Sequence, residues 1–468
     1  MRQFYSIVNK SSYIMSKKAQ FGSKIGLIAA TVGSAVGLGN VWRFPAETQN
    51  NGGAAFLILY IACVLVLGIP VMLAEFSLGR AGRNDAAGSF SRLSPGSKWP
   101  LVGGLAIIAS YLILCYYMVV AGWTLEYLWE SVTGNLYNGL GEGDATLDHA
   151  FTGKMKQYIF SDFAPLTATW AVILINIGIL LGGVQKGIER LSNILMPLLF
   201  LILVVLCAVT LSLPGAGRGL EFFLSPDFSK ITPEVFVSAL GQTFFSLSLG
   251  MGILITYASY YPDDTRLTRT SVIVSMMSLL VAILTGCIIF PAVTTFGLDD
   301  HSLAGATLVF VTLPEVFTNM PGTVLWSIMF FLLLLVAALT STVSIAEVSI
   351  AFMQNHFSMS RRRACLTVML PLFVFSSVCS LSYGSLSDFT ITGKNIFDFL
   401  DSTTTDILLP LVSIGVCVYV GWFGPHHLLD EQLSNHGTIK SRITSAVAFV
   451  IRYVAPLLIA AIMISKLI

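Results

Sequence analysis

Charge is what this sequence has least of. Asp, Glu, Lys and Arg make up only 11% of its 468 residues, against 55% hydrophobic, and a mean hydropathy of +0.80 puts the chain outside the ordinary soluble classes. A net charge of +1 leaves no whole-molecule field to draw nucleic acid or an acidic partner. The seven cysteines (Cys63, Cys115, Cys207, Cys287, Cys365, Cys379, Cys417) lack metal-ligand spacing and sit in or beside apolar runs, so they read as small buried hydrophobes. The six histidines (His149, His301, His356, His426, His427, His436) fall in loops or at run ends with no nucleophile or metal constellation beside them, which speaks against an enzyme. An apolar stretch before a small-residue cleavage site is also missing from "MRQFYSIVNKSSYIMSKKAQ". Residues 1–24 therefore read as a cytoplasmic tail, and insertion is expected to begin with the first span.

What the chain does have is long apolar runs. A span needs about 20 such residues to cross roughly 30 Å of hydrocarbon. Eleven runs qualify: 25–50, 54–79, 101–130, 167–184, 191–213, 235–258, 270–296, 323–353, 364–383, 400–423 and 444–466. With the N-terminus in the cytoplasm of a cell (inner) membrane, the inside segments hold 18 of the 26 basic residues, and the outside loops hold Lys154, Lys156, Arg218, Lys230 and Lys394. The positive-inside rule selects that orientation, and an odd number of spans leaves the C-terminus outside. Two outer loops are long, 131–166 and 297–322. The second, "LVFVTLPEVFTNMPG", reads either as a short helix on the outer face or as a lid dipping into an entrance.

The first run contains "VGSAVGLGNVWRFP", poor helix material at the depth of hydrocarbon. Gly33 and Gly37 form a G-x-x-x-G, which in membranes serves close helix packing. Yet Gly39 and Asn40 follow at once, and the sixth run carries a matching Gly250-Met251-Gly252 preceded by Ser246 and Ser248. Glycine-interrupted helices five spans apart are the signature of an inverted repeat with a binding site at the midplane. Unwound backbone in lipid costs several kcal/mol per unpaired group, so it survives only where protein, water or a ligand completes it. Half-helix N-termini suit a carboxylate, and free carbonyls suit a small cation. A zwitterion travelling with Na⁺ meets both demands.

The stretches "SKIGLIAATVGSAVGLGNVWRFPAETQNNGGAAFLILY", "GIPVMLAEFSLGR", "GQTFFSLSLGMGILITYASY", "LVFVTLPEVFTNMPG" and "LTSTVSIAEV" closely resemble the neurotransmitter:sodium symporter family in its prokaryotic eleven-span branch, over residues 17–466. The resemblance implies an all-α polytopic membrane protein of the leucine-transporter type. Two inverted five-span repeats (25–213 and 235–423), with helices 1 and 6 discontinuous, are followed by an eleventh span (444–466). It implies Na⁺-driven import of an amino acid by alternating access.

Residue by residue, the resemblance places one sodium site at Gly33, Val36, Ala337, Thr340 and Ser341, where the bland alternative is hydroxyls bonded back to their own helix. A second sodium site falls at Ala35, Asn40, Ser246 and, where relatives have Asn or Asp, Ser278. The substrate carboxylate would meet Leu38, Gly39 and Tyr117, and its amine the carbonyls near Ala35, Phe245 and Ser246. Ser34, Ile113, Phe245, Ser248, Met251, Ser341 and Ile345 would line the side-chain cavity. That lining holds no ionisable group, which favours a neutral, hydrophobic or aromatic amino acid. Tyr60, Gln242, Ser246 and Ser278 match chloride-liganding positions, but Ala282 stands where a serine or carboxylate completes that site, so chloride dependence stays open, as does the use of one Na⁺ or two.

Arg43 would form an outer gate. Its family partner position reads Thr404, leaving Asp401 or Asp406. An inner latch falls on Lys18 and Phe21, with Asn355 where an acidic partner is expected; a weaker latch of this kind would favour inward opening. A non-transporting amino acid sensor on the same scaffold is the rival reading. The oligomeric state is not legible.

Overall fold

The computed structural model describes residues 20–138, 147–298, 305–439 and 443–467. Among these, nine helices are long and apolar enough to cross a membrane: Ala54–Gly82, Pro100–Thr133, Phe163–Leu181, Val184–Leu211, Leu267–Thr295, Thr323–His356, Arg361–Leu381, Ile396–Phe423 and Thr444–Ser465. They correspond to the expected runs 2–5 and 7–11, with ends shifted by a few residues, and are called spans by those numbers below. The first and sixth runs are different.

Span 1 is two helices, Lys24–Ala35 and Gly39–Asn50, bent by 49°. The first half stops because Val36 leaves the helical region for extended backbone (φ −102°, ψ 92°). Span 6 consists of Pro233–Ser246 and Ile253–Ser259, each too short to cross alone. Its first half starts in regular fashion, with Thr232 accepting from the Val235 N–H and Pro233 at the first position. The chain between the halves turns through positive φ at Ser248 (54°), Gly250 (77°) and Gly252 (70°). At Gly250 only glycine fits, because a Cβ there would also run into the Leu409 carbonyl and the Ser413 hydroxyl of span 10.

The two breaks face each other. The Ser248 hydroxyl donates to the Ser34 carbonyl at 2.7 Å, which stitches break 6 to break 1. Spans 3 and 8 pass beside this junction and pack tightly on one another. Both are almost entirely buried at this depth, whereas spans 4, 5 and 11 present apolar side chains such as Leu174, Leu201 and Leu457 outward, as lipid-facing helices do.

The loop expected to be a surface helix or a lid is a helix, Gly305–Thr318, sunk into the molecule. Phe310 is fully buried among Trp42, Trp123, Tyr127 and Phe331, with ring centroids 4.7–6.1 Å away.

Candidate functional site: the junction of two broken helices

Break 6 leaves main-chain groups without helical partners, and side chains from neighbouring spans take them up. Glu75 of span 2, fully buried, accepts from the Gly250 N–H at 2.7 Å. Ser110 of span 3 donates to the Met251 carbonyl. Neither residue stood out in the sequence. A lone Glu inside an apolar run was the available signal for Glu75, since an unpaired carboxylate at that depth is costly.

Break 1 is served differently. The Tyr117 hydroxyl of span 3 receives the Leu38 N–H at 3.2 Å and meets Ser341 of span 8 beside Gly37. Gly37 has to be glycine because a Cβ would sit 3.1 Å from that same hydroxyl and against the Ser341 oxygen. The Asn40 amide donates to the Ser278 carbonyl (3.0 Å) and hydroxyl (2.8 Å). The Ser278 hydroxyl in turn lies 3.4 Å from both the Ala35 and the Ser246 carbonyl oxygens. Gln242 donates to the Gly39 carbonyl at 3.0 Å, and Tyr60 donates to the Ser246 hydroxyl at 2.8 Å. With those bonds made, the Asn40 Oδ1 and Gln242 Oε1 remain buried without a hydrogen-bond partner among the described residues. Buried polar atoms are nearly always paired, so an acceptor left over beside other neutral oxygens marks a place for a cation or a donor. The serine at 278, shorter than the residue relatives carry, still reaches this group. Ala282, one turn on, is buried and brings no polar atom.

The other set of oxygens lies where the first half of span 1 packs on span 8. A Cβ on Gly33 would stand 3.3 Å from the Thr340 side chain. Here the Thr340 hydroxyl bonds back to the Val336 and Ala337 carbonyls, both at 3.1 Å, the local arrangement that helix hydroxyls adopt on their own. Val36 lies in the extended link, so its carbonyl is outside the helical ladder.

Ser34, Ala35, Gly39, Ile113, Tyr117, Phe245, Ser246, Ser248, Met251, Ser341 and Ile345 line one cavity together with Gly37 and Asn40. Its volume is about 20 Å³, room for little more than a water. Leu38 lies on the far side, in a vestibule of about 590 Å³ that also includes Trp42, Arg43, Glu47, Tyr116, Trp123, Asp398, Asp401 and Asp406. Gly39, Tyr117 and Phe245 border both spaces, so the Phe245 ring and the Tyr117 hydroxyl form the partition.

Arg43 faces this vestibule. Its guanidinium lies 4.9 Å from the Phe245 ring centroid, and its ion-pair partner is Glu47, one turn along the same helix, at 3.5 Å. That departs from the expected pairing with Asp401 or Asp406, which line the same vestibule without an ion pair to Arg43. The reason is local: an i, i+4 carboxylate on the same helix face is always within reach, and Glu47 is steadied by Ser238 at 2.5 Å and Asn51 at 3.1 Å. Asp401 lies in the same vestibule as Arg43 and feels its charge without a direct ion pair, and the nearby Tyr116 hydroxyl approaches Thr404 at 3.4 Å.

At the opposite end the path is shut. Phe21 is 4% exposed and packs on Tyr257, Tyr260 and Tyr261 with centroids 5.8–6.3 Å away. Lys18 lies outside the described residues. Asn355 is exposed, and among the described residues two buried or nearly buried carboxylates hold this end together. Glu189, opening span 5, accepts from the Gly22 N–H and the Ser23 hydroxyl, both at 2.7 Å, at the positive end of span 1. Glu347 binds Arg361 at 2.7 Å and the Tyr260 hydroxyl at 2.9 Å. In the loop beyond span 6, Asp264 is held below the usual carboxylate range by its hydrogen bond to Lys24.

Discontinuous helices facing one another at mid-depth, an enclosed cavity beside free oxygens and a vestibule open at one end define a membrane transporter with its site between two gates. The profile of the sodium:neurotransmitter symporter family matches residues 18–142 and 155–468, and this chain belongs to that family. It is 34% identical over 443 residues to an uncharacterized sodium-dependent transporter, YhdH, of Bacillus subtilis, covering 95% of this chain and 96% of the relative. It is 35% identical over 459 residues to an uncharacterized sodium-dependent transporter of Haemophilus influenzae, covering 96% and 98%. The crystal structure of MhsT in complex with L-phenylalanine superposes with a TM-score of 0.86 at 40% identity, covering 96% of this chain and all of that one. The fold is accordingly the leucine-transporter type, and the protein is a sodium-dependent symporter, not an enzyme.

Proposed function

We propose that this symporter imports a neutral amino acid with a hydrophobic or aromatic side chain, coupled to one or two Na⁺ ions, by alternating access in the inner membrane. The N-terminus is cytoplasmic, the C-terminus is outside, and there are eleven spans in all, two inverted units of five (25–213 and 235–423) followed by 444–466. The observation that carries the substrate class is the lining of the cavity. Ile113, Met251, Ile345 and Phe245 supply apolar walls and no Asp, Glu, Lys, Arg or His lines the cavity, so a charged side chain would be desolvated without a partner. The relative of known structure that holds L-phenylalanine supports the same class.

The chain's residues divide the work. The Leu38 and Gly39 N–H groups and the Tyr117 hydroxyl receive the carboxylate, while the free Asn40 oxygen, the Ala35 carbonyl, Ser246 and Ser278 receive Na⁺. Gly33, Val36, Ala337, Thr340 and Ser341 offer a second place for the ion once Thr340 releases its own helix. Neutral oxygens suit a monovalent ion that has to be let go in every cycle. A cavity of about 20 Å³ admits no amino acid, so loading from the vestibule requires the Phe245 ring to swing aside. Each Na⁺ crossing about 100 mV contributes roughly 2.3 kcal/mol to accumulation.

The test is a binding screen over the twenty amino acids on purified protein with Na⁺ and with K⁺, repeated with chloride replaced by gluconate. Na⁺-dependent saturation by Leu, Ile, Met, Phe, Tyr or Trp, and none by Asp, Glu, Lys or Arg, is the expected result. Binding of a charged amino acid would overturn the substrate class. Indifference to Na⁺ would remove the coupling.

A further inference from the structure

Two of the seven cysteines face each other across a helix interface. Cys207 lies four residues before the end of span 5 (Val184–Leu211), and Cys287 eight residues before the end of span 7 (Leu267–Thr295). The two spans pack against one another. The Thr210 hydroxyl sits between them, 3.2 Å from the Cys207 carbonyl and 3.3 Å from the Cys287 carbonyl, so the backbones approach closely at this level. The two side chains lie close enough to interact with one another. Both are free, Cys207 buried and Cys287 part-exposed.

We propose that Cys207 and Cys287 form a reversible oxidation site, a thiol pair that closes to a disulfide and, once closed, stops the transport cycle. This rests on the reading of the chain as an alternating-access symporter with its N-terminus inside. In that orientation spans 5 and 7 both run outward, which puts the pair about 6–12 Å below their outer ends at 1.5 Å per residue, in the leaflet where disulfides persist rather than the one facing cytosolic thiols. The oxidant is a disulfide. One cysteine thiolate attacks it, breaking its S–S bond and releasing one thiol; the second cysteine sulfur then displaces the other half. One S–S bond is broken and one formed, and the two hydrogens lost by the cysteines end on the two thiols of the reduced oxidant. The consequence follows from what span 7 carries. Ser278 lies on it and binds Asn40 of span 1, so a covalent tie to span 5 would fix the helix that carries the ion-facing serine against its neighbour and oppose any rearrangement of the site during the cycle.

The test uses the full-length protein in liposomes, with dipyridyl disulfide as a membrane-permeant oxidant. Unreduced digestion and mass spectrometry are expected to recover one peptide pair linked through Cys207 and Cys287. Na⁺-driven uptake is expected to fall to the level of empty liposomes and to return with dithiothreitol. Cys207→Ser and Cys287→Ser are expected to keep full uptake and to lose the sensitivity. Separate pyridyl adducts with no link, a link that leaves uptake undiminished, or equal inhibition of the serine variants would each overturn the proposal. Absence of uptake before any oxidant is added would count against the transport reading alone, since the linked peptide still decides whether the pair closes.

Discussion

The two helix breaks look alike in sequence and are completed in opposite ways. At break 6 the protein supplies the partners: Glu75 takes the Gly250 N–H, Ser110 reaches the Met251 carbonyl, and Ser248 turns its own hydroxyl outward to Ser34. At break 1 the neighbours orient the polar groups without exhausting them, and the Asn40 and Gln242 oxygens are left over. The second Glu75 oxygen at break 6 is unpartnered among the described residues too, but of these three only Asn40 lines the cavity. One break is a support and the other is a receptor. Unwound backbone is affordable in a membrane only when something completes it, and the difference lies in whether that something is resident or travels.

Replacing Glu75 should have the largest effect. Glu75→Ala leaves the Gly250 N–H buried and unpaired, which costs about 1–3 kcal/mol, so thermal stability in detergent and uptake should fall together. Glu75→Gln keeps an acceptor oxygen and should recover most of the stability. Asn40→Ala should act differently, weakening Na⁺ activation of substrate binding about tenfold, the equivalent of about 1.4 kcal/mol, with thermal stability nearly unchanged in the absence of Na⁺. If Asn40→Ala destabilises the ion-free protein as strongly as Glu75→Ala does, the two breaks are not different in kind.

Ser278→Ala probes the seam between them. It removes the hydroxyl that both orients Asn40 and faces Ala35 and Ser246, and should raise the Na⁺ requirement by less than Asn40→Ala does. Glu47→Gln lies outside both breaks. Loss of a part-exposed pair is worth about 0–1 kcal/mol, so uptake at saturating substrate should change little, and a collapse of uptake would instead make Glu47 a working gate residue. The smallest effect concerns pH. Asp264, held low by Lys24, contributes above its unfolded pKa and loses that contribution only as pH falls through its lowered folded value. The difference in melting temperature between wild type and Asp264→Asn should therefore be small and constant between pH 5 and 8, and should shrink only in acid, as Asp264 is protonated.

Much of the site could be read before folding. Gly-x-Gly pairs five spans apart, an asparagine after the first, and serines before the second are rare in apolar runs and therefore informative. Glu75, Glu189 and Glu347 were missed because their meaning depends on which helix passes beside them. At the inner end Asn355 is exposed, while Glu189 from a different span binds the Gly22 N–H and the Ser23 hydroxyl, a contact no local pattern showed. Arg43 shows the converse: proximity along one helix won over a partner on span 10, a preference the i, i+4 spacing of Glu47 already displayed.

By itself the sequence settled the solvent and the interruptions. A chain this apolar has to put helices in lipid, and glycine and asparagine at mid-depth have to break them, because composition and local backbone preference act without knowledge of neighbours. Which break is filled by the protein and which waits for an ion, and that Phe245 rather than a charged pair stands between vestibule and cavity, were decided only by packing. Those outcomes depend on side chains hundreds of residues apart in sequence meeting within a hydrogen bond's length, and no local pattern encodes that.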